Sequence, residues 1–62
     1  MDSTGANNLV IAVMKQAAKE YRQSKRRGDT LTCNLIDRQI LTNSLVITAG
    51  FDDIWKQYTQ KL

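Results

Sequence analysis

The stretch LVIAVMKQAAKEYRQSKRRG, residues 9–28, decides the fold. Val10, Val13, Met14, Ala17, Ala18 and Tyr21 recur at the i, i+3, i+4, i+7 spacing that lines one side of a 3.6-residue helix. Leu9 to Gly28 therefore reads as an amphipathic helix about 30 Å long at ~1.5 Å rise per residue. Lys15, Lys19, Arg22 and Arg26 fall at i, i+4, i+7 and i+11 on the same wheel and form a basic ridge roughly opposite the apolar stripe. Asn7 or Asn8 can cap the start by accepting a hydrogen bond from a free amide of the first turn. At the far end Lys25, Arg26 and Arg27 suit the negative pole of the helix dipole, and Gly28 can take the left-handed capping conformation.

Outward from that helix the chain has little room. Its 62 residues allow one domain, and a monomer of that size buries only about 60% of the surface its unfolded chain exposes. Cys33 is the single cysteine and there is no histidine, so neither a disulfide nor a structural zinc site can compensate. Self-association or unusually good helix packing is the remaining means of stabilisation, and a homodimer is expected. Glycine is scarce and proline absent, which leaves no linker, low-complexity segment or internal repeat.

The first six residues are small and polar, and a frayed N-terminus over 1–7 is expected. Gly28-Asp29-Thr30 forms a turn in which Asp29 or Thr30 caps a second helix from about Leu31 to Leu41. Leu31, Leu35, Ile36, Ile40 and Leu41 spread around most of that helix, so more than one of its sides must be covered, by another element or by a partner subunit. Thr42-Asn43-Ser44 is a cluster of capping residues that breaks it and starts a short helical turn at Leu45 to Thr48. The β-branched run Val46-Ile47-Thr48 also suits a strand, but a single strand would need to pair across a dimer. Asp52 or Asp53 supplies a cap and a favourable charge to a last helix, whose stripe of Phe51, Ile54, Trp55, Tyr58 and Leu62 carries three of the four aromatic residues. This last helix should fold back onto the first. The expected fold is all-α: three helices plus a short helical turn.

Val13-Met14-Lys15-Gln16-Ala17-Ala18-Lys19-Glu20-Tyr21, followed by Lys25-Arg26-Arg27-Gly28-Asp29, resembles the opening of short proteins encoded in phages and prophages of Gram-positive bacteria. Ser44, Thr48 and Asp52 are similarly placed to a Ser, Thr and Asp of that group. Leu45-Val46, where the group is aromatic, and Asp53, where it tends to Gly, depart from it. The resemblance implies a mobile-element setting and no mechanism.

Catalysis needs convergent groups, and few candidates exist. Without histidine, Cys33, Ser24 and Ser44 lack a general base, and Cys33 reads as a small buried thiol. Asp52 and Asp53 point about 100° apart on a helix and read as capping residues, not as a pair of cation ligands. Gly5, Gly28 and Gly50 are isolated and build no phosphate-cradling loop. No enzyme, cofactor or metal is expected.

Charge placement carries the functional content. The net +3 divides into +4 over residues 1–28 and −1 over residues 29–62. Like charges at i, i+4 slightly destabilise an isolated helix, so an uninterrupted basic ridge costs something unless a partner uses it. Lys15, Lys19, Arg22, Lys25, Arg26 and Arg27 are the expected contact residues, facing an acidic protein surface or the phosphates of a nucleic acid. As a sequence reader, the second helix would have only Asn34, Arg38 and Gln39 to offer, which disfavours a helix-turn-helix. The longest apolar run after the first helix, Leu45 to Ile47, is far short of the ~18 residues of a membrane span. The lone cysteine and the lack of a secretory leader point to the cytoplasm.

Overall fold

The computed structural model describes residues 4–60, with the side chains of Thr4 and Ala6 left aside. Four helices follow one another: α1 (Thr4–Arg26), α2 (Thr30–Leu41), α3 (Ser44–Ala49) and α4 (Asp52–Gln60). There is no strand among the described residues, so Val46-Ile47-Thr48 is helical and the expected short turn is the six-residue α3.

The start of α1 differs from the expected one. The helix begins at Thr4, and Asn7 and Asn8 are exposed residues inside it instead of caps. Nothing between Thr4 and Leu9 stops a helix once it is nucleated, since extension adds one hydrogen bond for each residue fixed. The frayed-terminus expectation thus meets helix over 4–7, and its part over residues 1–3 lies outside the described residues.

The ends are set by local chemistry. After Arg26 the chain closes with Asp29 N–H donating to the Ser24 carbonyl at 2.9 Å and Gly28 N–H to the Lys25 carbonyl at 3.1 Å. Gly28 sits at φ 72°. This paired 6→1 and 5→2 pattern is a Schellman motif, and it satisfies carbonyls that the last turn leaves without partners. The same motif closes α3, where Phe51 N–H reaches the Val46 carbonyl at 2.9 Å, Gly50 N–H reaches that of Ile47 at 3.0 Å, and Gly50 has φ 70°. Asp29 caps α2, accepting from Thr32 N–H at 3.1 Å and from the Thr32 hydroxyl at 2.6 Å. Those bonds, first the hydroxyl and then the amide, hold the Asp29 carboxyl below its usual pKa. Asn43 caps α3 through Oδ1, which accepts from Leu45 and Val46 N–H.

At α4 the expected cap is replaced. Trp55 N–H donates to the Phe51 carbonyl at 3.0 Å, so Asp52 and Asp53 are the first two residues inside the helix. Their charges favour the positive pole of its dipole, but neither side chain is the cap.

The core joins all four elements. Met14 and Ala18 of α1, Ile36 and Ile40 of α2, Val46 of α3 and Trp55 of α4 are buried together. Val10, Ala17, Tyr21, Leu41, Phe51, Ile54 and Tyr58 pack around them. As expected, α4 lies against α1: the Tyr21 and Trp55 rings meet edge to face, with centroids 6.0 Å apart and planes at 79°. Leu62, expected to extend the α4 stripe, lies outside the described residues.

Three positions expected to be covered lie outside the core. Val13 is 54% exposed, because it lies about 100° around the helix from Met14, while Ser24, 2% exposed, occupies the inner face beneath the α1–α2 turn. On α2, Cys33, Ile36 and Ile40 turn inward, whereas Leu31 and Leu35 point away from the core and are 84% and 56% exposed. The chain therefore covers α2 on one side only.

Candidate binding face

Lys15, Lys19, Lys25, Arg26 and Arg27 are all exposed. Lys15, Lys19 and Arg26 share one face of a continuous helix, and the line from Lys15 to Arg26 measures about 16 Å at ~1.5 Å per residue. Lys25 and Arg27 extend the charge around the helix end, where cations also favour the dipole. The Arg27 guanidinium donates to the Ser24 hydroxyl at 3.3 Å, which holds it against the turn.

Arg22 behaves differently. It is half-buried, and its Nη1 donates to the Tyr58 carbonyl at 3.0 Å. That carbonyl belongs to the last described turn of α4. Arg22 thus ties the C-terminal end of α4 to α1. The wheel places it on the ridge but nearest the core, and the packing of α4 along that edge of α1 turns it inward.

Next to Lys25, between α1 and α2, lies a depression of about 220 Å³ lined by Tyr21, Lys25, Gly28, Thr30, Cys33 and Asn34. The buried Cys33 thiol donates to the Tyr21 carbonyl at 3.5 Å. Burial, and then the nearby Cys33 and Asp37, raise the Tyr21 hydroxyl above its ordinary pKa. No nucleophile and base converge here. Among the described residues no group of three or more Cys, Asp or Glu is placed to hold a metal ion. Asp52 and Asp53 are exposed neighbours at the start of α4.

Three features escape a reading of residue types alone. One is the Arg22 tether. Another is Asp37, on the inner flank of α2, whose Oδ1 accepts from Trp55 Nε1 at 2.8 Å and so satisfies the polar group of a fully buried indole. An acid beside the inward Ile36, in a chain with one tryptophan, was the available signal. The last is that the stretches 4–14 and 39–51, which carry no ionisable side chain, line one groove in the fold, to which no motif points.

No protein-family model, curated protein or solved structure matches the chain. No helix among the described residues is long and apolar enough to cross a membrane.

Proposed function

We propose that this chain is a small non-enzymatic interaction protein that uses the basic face of α1 to bind and modulate a macromolecule with an acidic surface. The resemblance of its first helix implies a phage or prophage setting, in which the chain would act inside the host cell on a protein of the host or of the phage. The observation that carries the reading is the exposure of Lys15, Lys19 and Arg26 along one face of a continuous helix. The helix fixes the backbone from which these side chains project, so no backbone ordering is needed when they meet a complementary surface. Contact with nucleic-acid phosphates is the second reading, favoured by the way Lys25 and Arg27 carry the charge around the helix end.

The test titrates the protein into labelled polyglutamate, duplex DNA and single-stranded RNA over a salt series. Binding to polyglutamate at least as tight as to the nucleic acids supports the first reading. Tighter binding to a nucleic acid, with a log–log salt slope of about −4 or steeper, moves the second ahead. No binding to any of the three at low salt overturns both.

A further inference from the structure

Arg22 belongs to the basic ridge and to the packing of α4 at once. It follows Lys19 by three residues and precedes Arg26 by four, the spacings at which side chains on a helix surface are neighbours. Its Nη1 donates to the Tyr58 carbonyl at 3.0 Å, and the residue is half-buried, so part of the side chain still reaches solvent. A guanidinium carries five N–H donors in a rigid planar fork, of which this bond uses one. Arg27 is also held, but by the Ser24 hydroxyl three residues away, within the same turn. The Arg22 bond instead crosses from the ridge to another helix.

From this double placement we infer that Arg22 is the anchor of the basic face. With one N–H held by the Tyr58 carbonyl, its guanidinium meets a carboxylate of the acidic partner without letting go, so that occupying the face fastens α4 more firmly to α1. The inference rests on the reading of this face as a binding surface, and adds its anchor and its consequence for the fold. The donors suffice for both acceptors, so a carboxylate has no need to compete with Tyr58 for the cation. A bond from guanidinium to carboxylate is charge-assisted and bidentate in its best geometry, and bonds joined through one group polarise one another. Lys15, Lys19 and Arg26 are exposed and must give up rotamer freedom on contact, whereas the bond to Tyr58 already restricts Arg22. Such coupling is reciprocal: if the Tyr58 carbonyl favours the orientation that takes a carboxylate, a bound carboxylate favours the bond to Tyr58 by the same factor. The effect falls on the last described turn of α4, a helix of nine residues whose end opens more readily than the core.

Amide hydrogen exchange, read by NMR with and without saturating polyglutamate, is the test. In the wild-type chain the amides of Tyr58, Thr59 and Gln60 should exchange about five-fold more slowly in the complex, relative to those of α3, which lies along residues 9–14 of α1. Arg22→Gln keeps a donor for the Tyr58 carbonyl but no charge, and its α4 amides should not respond to polyglutamate. Arg22→Lys and Arg26→Lys make the same change at two ridge positions. The first should weaken polyglutamate binding about five-fold and the second less than about two-fold. Binding without slower exchange at the end of α4 overturns the inference and leaves the basic face standing, as do equal effects of the two lysine variants. No binding of polyglutamate by the wild-type chain overturns the reading of the face, and the inference with it.

Discussion

Arg22 Nη1 and the Tyr58 carbonyl oxygen, 36 residues apart in sequence, are 3.0 Å apart in the fold. A hydrogen bond from a charged donor is worth about 1.5–3 kcal/mol where it is sheltered, and this half-buried one belongs near the low end. Arg22→Ala should lower unfolding stability by about 1–2 kcal/mol, read from the denaturant midpoint. Lys15→Ala and Lys19→Ala, on the exposed ridge, should stay within about 0.5 kcal/mol of wild type. Equal effects at all three positions would contradict the tether.

Trp55 and Asp37 make the second prediction. Trp55→Ala removes the largest core side chain, at about 3–5 kcal/mol. A 62-residue domain holds only about 3–9 kcal/mol in total, so this variant should be largely unfolded by circular dichroism. Asp37→Ala orphans the indole N–H and should cost about 1–3 kcal/mol. Asp37→Asn keeps an acceptor in place and should cost less. If the two Asp37 variants were equally destabilised, the bond from Trp55 Nε1 would not matter to the core.

How far the sequence reveals the fold depends on where each signal is stored. The end of α1 was legible because Gly28 and the cations before it act within one turn, and the Asp29 and Asn43 caps were legible for the same reason. The start of α1 was not, since asparagine both caps helices and is tolerated within them and nothing upstream stops the helix. Periodicity found the core face but put Val13 on it and left out Ser24, because apolarity is a weak guide at the edge of a stripe. Of the basic face, its residues and spacing could be read from the chain. The inward turn of Arg22 could not, because it depends on where α4 ends in space.

The glycines predict changes of opposite sign. Gly28 and Gly50 hold φ near 70°, and an added Cβ would meet nothing within 4 Å at either. Alanine at each should therefore cost only its backbone strain, about 1 kcal/mol. Gly5 sits within α1 at ordinary φ with open space around it, so Gly5→Ala should stabilise, by a few tenths of a kcal/mol at this helix end. Thermal midpoints of the three variants check both directions.

Two groups link stability to pH. Asp29 has a lowered pKa in the folded chain, so its contribution is present above the unfolded carboxyl value of about 3.9 and is lost as pH falls through the lower folded value. Asp29→Asn keeps a capping oxygen that does not titrate, and it should lose less stability than wild type between neutral pH and about pH 3. Tyr21 has a raised pKa, so its contribution is present below about pH 10 and is lost as pH rises toward the folded value. Tyr21→Phe should flatten that alkaline loss. Both are read from denaturant midpoints against pH.

The most direct test of the basic face compares two charge-matched double variants. Lys15→Glu with Lys19→Glu, and Arg38→Glu with Lys56→Glu, alter net charge equally, but only the first pair lies on α1. The first variant should lose polyanion binding at moderate salt while the second keeps most of it, with both as helical as wild type. Equal losses in the two variants would mean that net charge, and not this face of α1, determines binding.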